Sequence, residues 1–141
     1  MGVIRHLDDD NIERLLRTSI VGRIACCDHG AAGGDGRPYV VPLAYGYDGD
    51  SIYAHSGPGK KLNFMRANPL VTVEVDEATA PDRWSSVIAE GIFEELADPS
   101  NRESALRAIY PPPQSVPDLG PHTVVYRIQL KAKTGRYEAP E

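Results

Sequence analysis

Alternation of apolar and polar side chains with a period of two is the dominant pattern of the chain, and it predicts strands rather than helices. In the stretch 39–47 one face carries large apolar residues, and Asp48-Gly49 then supplies a tight turn before a return strand through Ile52 and Ala54. Alternating or β-rich runs predict further strands at 19–28, 69–77, 83–98 and 122–138. The apolar face of 39–47 consists of Val41, Leu43, Tyr45 and Tyr47, opposite Val40, Pro42, Ala44 and Gly46.

Three segments show helical rather than strand signals. Residues 8–18 begin with three aspartates and place Leu15 and Leu16 on one face, which we expect to meet a core. Residues 98–110 begin with Asp98 and Pro99, a typical capping pair, and carry an apolar stripe. Residues 60–67 form two predicted turns that end at Asn68-Pro69. The helix stripes are Leu106 with Ile109, and Leu62 with Met65.

About six strands and three short helices, without βαβ alternation, predict a mainly β fold: a small antiparallel β-barrel with flanking helices. The 141 residues fit a single domain, 1–141. Pro42 lacks an amide donor, so we expect an edge strand, a bulge or a docking position there. The glycine-rich stretch 30–36 predicts a hairpin loop. We expect the proline-rich segment 111–121 to bridge the last helix and the last strand rather than to form a lid.

Charge and cysteine usage exclude several classes of protein. The net charge of −5 gives no general attraction to nucleic acid or to an anionic membrane, so an anion would be held locally. The chain shows no membrane-length apolar run and no secretory leader, and we therefore expect a cytoplasmic protein. Cys26 and Cys27 are neighbours on a predicted strand and point to opposite faces, so we predict neither a disulfide nor a metal site.

The stretch "HSGPGKKLNFMRANP", residues 55–69, concentrates hydrogen-bonding groups and positive charge where a strand turns into a helix. Free amides at a helix start, the Ser56 hydroxyl, Lys60 and Lys61 suit a phosphate monoester. The spacing does not fit a triphosphate-binding loop, because Ala54 and Lys61 occupy positions that require Gly and Ser or Thr. Hydrated surface lysines explain the residues equally well, and His55 alone is as often structural as functional.

Further motifs lie on both sides of this stretch, and their order along the chain is informative. The runs "VGRIA", "PYVVPLAYGYDG", "IYAHSGPGKKLNFMRANPLVTVEVDE" and "WSSVIAEGIFEEL" follow one another between about residues 7 and 110. In this order they resemble the pyridoxamine 5′-phosphate oxidase-like, FMN-binding split β-barrel superfamily and, within it, the nitroimidazole reductase (Nim)-related flavoproteins. The resemblance implies an antiparallel split β-barrel and a homodimer with FMN at the subunit interface.

The resemblance also implies which residues contact the cofactor. The segment 39–43, on the predicted strand 39–47, would lie along the isoalloxazine, and the strand-to-helix stretch would grip the phosphate with Arg23 as a helper. A later segment, often supplied by the partner subunit, completes the site. Trp84 there either stacks on the flavin or anchors the core or interface, and only one of Ser85 and Ser86 can face the ligand. The three segments are Tyr39, Val40, Val41, Pro42 and Leu43; His55, Ser56, Lys60 and Lys61; and Trp84, Ser85, Ser86 and Val87.

The expected activity is an FMN-dependent oxidoreductase that passes electrons from NADH or NADPH to a small electron-poor acceptor such as a nitro compound or quinone. His55 is the candidate catalytic residue, as a proton donor. Pyridoxamine 5′-phosphate oxidase, after which the superfamily is named, carries an Arg/His substrate motif near its C-terminus. The end of this chain, "KTGRYEAPE", lacks that motif, so oxidation of pyridoxamine phosphate is not expected. The alternatives are a non-catalytic flavin-storage protein, or the same barrel holding a deazaflavin or haem.

Overall fold

The computed structural model describes residues 2–29 and 35–141, in which one antiparallel sheet of eight strands is combined with three helices. The predicted fold class is confirmed. The strands are β1 (Gly2–His6), β2 (Val21–Cys26), β3 (Tyr39–Ala44), β4 (Gly46–Tyr47), β5 (Ser51–Ser56), β6 (Leu70–Ala80), β7 (Arg83–Glu95) and β8 (Val124–Pro140). The helices are α1 (Asp9–Thr18), α2 (Lys60–Ala67) and α3 (Pro99–Ile109).

The strand number of about six was an underestimate, for two local reasons. β1 is only five residues long and ends in Arg5 and His6, too short to show alternation. The single strand expected at 39–47 is interrupted at Tyr45, whose hydroxyl donates to the Leu16 carbonyl at 2.7 Å and whose amide donates to the Ile20 carbonyl at 3.2 Å. Contacts with the end of α1 therefore separate β4 from β3.

The strand order is β3-β2-β6-β7-β8-β5-β4, and β1 pairs with the far end of β8. The 17-residue β8 pairs along one edge with β7 and along the other with β5 and then β1, which curls the sheet into a half-barrel. The β7–β8 register shifts at Gly91, where an added Cβ would lie 2.4 Å from the Gln129 carbonyl oxygen. Only glycine fits this close approach.

The inner face of the curled sheet and two helices enclose the core. Leu15 and Leu16 of α1 and the predicted inward residues of α2 are buried, as expected. α3 lies elsewhere, over β5 and β8, and the residue that it buries is Ala105, whereas the predicted stripe residues Leu106 and Ile109 are only half-buried. The buried side chains of α2 are Leu62, Phe64 and Met65.

The opposite face of the sheet, which we call the outer face, carries the exposed apolar side chains of the strands. Register places these residues on one side, since cross-strand partners share a face. Val40 of β3 is 60% exposed and Leu70 of β6 is 65% exposed. Among the described residues, the strand-borne exposed large aliphatic side chains are Ile4, Val21, Val40, Leu70, Ile88 and Ile92.

The ends of the helices follow the sequence. Asp8 caps α1, accepting from the Asn11 amide at 2.9 Å, and Asp98 caps α3 with Pro99 in the first turn. Gly59, the N-cap residue of α2, offers no side-chain hydrogen bond to the helix, and Asn68 is the C-cap residue. The first-turn amides of α2 are therefore left for a ligand or solvent. In the described part of the chain, no helix combines the length and apolar character needed to cross a bilayer.

Candidate functional site

Two lysines stand at the start of α2, of which Lys60 lies beside two aromatic rings, and neither forms an ion pair with a described carboxylate. We call His55, Ser56, Lys60 and Lys61 the lysine corner. The Lys60 ammonium lies 4.8 Å from the centre of the Tyr39 ring and 5.4 Å from that of Phe64. Within the described residues, neither lysine makes a hydrogen bond or an ion pair with another side chain. The corner thus presents two cations without a protein anion to neutralise them.

Burial and mutual repulsion act on the titratable groups of the lysine corner. Burial lowers the pKa of Lys61, with a partial counter-effect from Cys26. Burial, and then the charge of Lys61, lower the pKa of His55, which is therefore neutral at pH 7. Burial raises the pKa of the Cys26 thiol. An anion bound here would relieve the penalty on Lys61, so the corner is electrostatically suited to one.

His55 has a partner that the sequence did not reveal. Its Nε2 lies 2.7 Å from the Tyr110 hydroxyl, and the two rings stack with centroids 5.8 Å apart. Tyr110 follows the last residue of α3 and precedes the proline-rich segment 111–121. No local motif signals a contact between residues 55 positions apart, and only the packing of α3 against β5 brings them together.

The turn that leads into α2 is open. An added Cβ at Gly57 or Gly59 would have no neighbour within 4 Å, and Gly59 adopts an extended conformation with φ of 166°. Neither residue is required by packing or by a left-handed backbone conformation. Space next to the helix start is therefore available for a ligand to approach the backbone closely.

β3 connects the lysine corner to the outer face. It is an edge strand, as Pro42 predicted. Tyr39, at its first position, meets Lys60, whereas Val40 and Pro42 are exposed on the outer face. Val41 turns inward and Leu43 is only 3% exposed in the core, so Leu43 can offer a ligand only its backbone.

Arg23 is directed away from the lysine corner. It pairs across the ladder with Pro42, but its guanidinium lies 3.4 Å from a carboxylate oxygen of Glu74 and 3.3 Å from one of Asp76, on the far side of β2. Burial, together with hydrogen bonding to Asp76, raises the pKa of Glu74. The predicted phosphate contact of Arg23 is not formed in this arrangement, because two carboxylates hold the side chain elsewhere.

The third predicted segment, Trp84–Val87, lies on β7, three strands from β3. Ser86 faces outward and donates to Glu74 at 2.9 Å, and the half-buried Trp84 donates to Glu138 at 3.0 Å. Val87 is fully buried in the core. Three strand spacings amount to about 14 Å, so one ring lying along β3 does not reach this segment within the same chain. Ser85, opposite Glu77 and Tyr137, takes the other face, as predicted.

The two cysteines remain free, Cys26 buried and Cys27 half-buried with its thiol donating to the Gly36 carbonyl at 3.1 Å. Most of the predicted hairpin loop at 30–36 lies outside the described residues. The strands on either side of it, β2 and β3, pair antiparallel up to Cys26 and Tyr39. In residues 2–29 and 35–141, no three His, Cys, Asp or Glu side chains are grouped as metal ligands.

The residues present fit a phosphorylated flavin. The lysine corner and the uncapped start of α2 supply cations and amide donors for a phosphate. The exposed edge strand β3 supplies apolar side chains and backbone groups beside it for an aromatic ring. The structure brings Tyr39 together with the lysines and Pro42 together with Arg23, and it leaves Trp84–Val87 apart from both groups.

Similar proteins share this architecture. A crystal structure of an FAD-binding protein from Mesorhizobium loti is 36% identical, covers 98% of this chain and 99% of its own, and superimposes with a TM-score of 0.75. A Bacteroides thetaiotaomicron protein named for 5-nitroimidazole antibiotic resistance is 23% identical, with a TM-score of 0.83 and coverage of 100% and 93%. The FAD and heme binding protein of Mycobacterium smegmatis is 18% identical, with a TM-score of 0.69 and coverage of 94% and 72%.

An uncharacterised protein of Rhizobium meliloti (strain 1021) is 31% identical over 93 residues, which make up 66% of this chain and 58% of that relative. The alignment thus spans little more than half of the relative's length. The family model described as pyridoxamine 5′-phosphate oxidase matches residues 8–137, nearly the whole chain. With the half-barrel and its edge strand already established, this match shows that the chain belongs to the pyridoxamine 5′-phosphate oxidase-like family.

Proposed function

We propose that this protein is a flavin-dependent oxidoreductase that binds FMN with the phosphate in the lysine corner and the ring along β3. The observation that carries the proposal is the pair of lysines without a carboxylate partner in the described residues of a chain with net charge −5. A half-buried Lys61 with a pKa lowered by burial gains the most from an anion. A phosphate monoester matches this donor set.

Each part of the chain has a defined role in this proposal. Lys60, Lys61, Ser56 and the first amides of α2 bind the phosphate. The backbone of β3 orients the ring, and Pro42 leaves no amide donor to compete for a partner there. When bound, the flavin supplies hydride acceptance from NADH or NADPH and electron transfer to a small electron-poor acceptor. The lowered pKa keeps His55 neutral at pH 7, so in this proposal it acts beside the lysines as a hydrogen-bond donor, and the proton that an acceptor takes up comes from solvent.

A second copy of the chain completes the proposed site. The outer face exposes apolar side chains on several strands, which favours association. Residues Trp84–Val87 lie too far from β3 to share its ligand, so in this proposal the partner's copy of the segment contacts the ring. An Ile88→Glu variant, altered on the outer face, should sediment as a monomer and lose flavin, with Asn101→Glu, an exposed position on α3, as the control. A flavin-loaded monomer would refute this arrangement.

FAD is the second candidate, because the 36% identical structure from Mesorhizobium loti is that of an FAD-binding protein. The open turn at Gly57 and Gly59 leaves space for a second phosphate and a nucleoside. Non-catalytic flavin binding is the remaining alternative within the same site. Haem, which the sequence left open with deazaflavin as a further alternative, is also in the name of the Mycobacterium smegmatis neighbour.

Absorption spectra of the purified protein and titrations with FMN, FAD and riboflavin test the proposal. We expect a yellow protein that binds FMN or FAD far more tightly than riboflavin. A protein that stays colourless and takes up neither FMN nor FAD would overturn it. Stopped-flow mixing of the loaded protein with NADH or NADPH then separates an enzyme from a storage protein, since only an enzyme loses its flavin absorption within minutes.

A further inference from the structure

We infer that Tyr110 is a positioning residue that fixes the tautomer of His55, so that the ring presents an Nδ1–H donor to the anion in the lysine corner. This inference rests on the proposed function for the identity of the anion, whereas the state of the ring can be tested without any ligand. Tyr110 lies outside the segments that the family resemblance singled out.

The geometry defines the contact. The Tyr110 hydroxyl lies 2.7 Å from Nε2, a normal hydrogen-bond distance, and the rings stack with an interplanar angle of 28°. Both side chains are half-buried, between α3 and β5. Stacking and hydrogen bonding together fix the rotation of the imidazole, and Nδ1 has no hydrogen-bond partner among the described residues.

The direction of this hydrogen bond follows from the charges around it. Tyr110 from α3 contacts the His55 ring, the charge of Lys61 from α2 acts on its pKa, and no described carboxylate lies within ion-pair distance of the ring. A neutral imidazole offers one donor and one acceptor. A phenol hydroxyl is the stronger donor of the pair and an imidazole nitrogen the stronger acceptor, so Tyr110 donates to Nε2 and the ring proton resides on Nδ1.

This tautomer makes the lysine corner selective for an anionic ligand. With the proton on Nδ1, the lysine corner offers a ligand two ammonium groups and the imidazole N–H as donors, while the Ser56 hydroxyl donates to the Gly57 carbonyl at 2.9 Å. Such a set favours a phosphate over a neutral hydroxyl. Tyr110 directly precedes the proline-rich segment 111–121, so a movement of that segment would also move the hydroxyl that contacts His55.

The first experiment uses ¹⁵N NMR of the flavin-free full chain. We expect the wild-type spectrum to show a neutral His55 ring protonated on Nδ1, and Tyr110→Phe to shift it towards protonation on Nε2. Tyr53→Phe is the matched control, because Tyr53 lies on the same strand but donates to Asp48 at 2.7 Å. A wild-type ring protonated on Nε2 overturns the inference, whether or not any variant folds.

The second experiment measures FMN and riboflavin affinity. Tyr110→Phe should weaken FMN binding by about tenfold and leave riboflavin binding unchanged, since one charge-assisted hydrogen bond is lost. Equal affinity of wild type and Tyr110→Phe for FMN would contradict the inference. A wild-type chain that shows the Nδ1 tautomer but binds no flavin would refute the proposed function and leave the positioning of His55 standing.

Discussion

Two half-buried lysines of this protein, Lys61 and Lys133, have opposite surroundings. The Lys133 ammonium donates to Glu13 at 3.0 Å, to the Tyr47 hydroxyl at 2.6 Å and to the Gly49 carbonyl at 2.8 Å. Burial lowers its pKa, but hydrogen bonds to Tyr47 and Glu13 outweigh burial and hold the pKa above the usual value. Lys61 has no such partners in the described chain, and its pKa is lowered by burial.

The difference separates a structural lysine from a binding one. Lys133 joins β8, α1 and the β4–β5 hairpin, and its donors are used within the fold. Lys61 contributes an unfavourable charge to the free protein that only a further anion can compensate. The pKa of a partly buried lysine is thus lowered or raised depending on whether the fold supplies acceptors for its ammonium group.

The largest expected effect is on the lysine corner. Replacing both lysines, Lys60→Ala with Lys61→Ala, should weaken FMN binding by about a hundredfold or more, since two charge-assisted interactions are lost. Riboflavin, which lacks the phosphate, should bind as before. Isothermal titration with both ligands measures this, and an equal loss for the two ligands would show that these lysines do not hold the phosphate.

Lys133→Met should lower the stability of the fold and leave FMN binding unchanged. We expect the free energy of unfolding to fall by about 1–2 kcal/mol, because Glu13 and Tyr47 lose a shared cationic donor at a partly exposed site. FMN affinity should stay at the wild-type level. Urea denaturation and titration of the same variant test both halves, and a stable variant with impaired flavin binding would contradict the comparison.

The pH dependence of binding should distinguish the two lysines further. A bound phosphate raises the lowered pKa of Lys61, so its contribution to affinity is complete below the free-protein pKa and is lost as the pH rises through the bound-state pKa. FMN affinity relative to riboflavin should therefore fall, by about tenfold, as the pH rises above the lowered pKa of Lys61 in the free protein. Lys61→Arg should move this loss to higher pH, and a flat profile in the wild type would exclude Lys61 as the titrating group.

The smallest effect should come from the turn before α2. Gly57→Ala adds a methyl group in open space, so stability should change by less than about 0.5 kcal/mol. FMN affinity should fall a few-fold if the phosphate approaches this backbone. Gly36→Ala, in another loop and with positive φ, is the control that should affect backbone strain without affecting FMN. An unchanged affinity in Gly57→Ala would place the phosphate elsewhere along α2.

Local patterns were sufficient for most of the fold. The bounds of α2 and the burial of Leu62 and Met65 followed from the Gly-Pro-Gly turn, the helical spacing and Asn68-Pro69, whereas the burial of Phe64 was not predicted. β1 was missed because its pairing with β8 is dictated by a distant strand and not by its own five residues. Strand pairing of this kind is determined by the whole sheet.

The candidate site was predictable in its parts but not in its arrangement. Tyr39 and Lys60 were both expected at the ligand, yet their ring contact appears only after β3 and α2 pack together. Arg23 was named as a phosphate helper only through the family resemblance, and its local sequence gave no sign of Glu74 and Asp76, more than fifty residues away, which hold its side chain in this structure. No sequence signal pointed to Tyr110, because α3 carries no ligand-binding motif and the contact of Tyr110 with His55 depends on how α3 packs against β5.

β8 has a consequence for how the protein is made. It pairs Gly2 with Pro140 and is the only strand that connects β5 and β4 to the rest of the described sheet. A nascent chain can therefore assemble β3-β2-β6-β7 early, but it cannot attach the β4–β5 hairpin, and with it the lysine corner, until the last strand has left the ribosome. This high contact order predicts slow folding, and the ligand site is assembled in its last step.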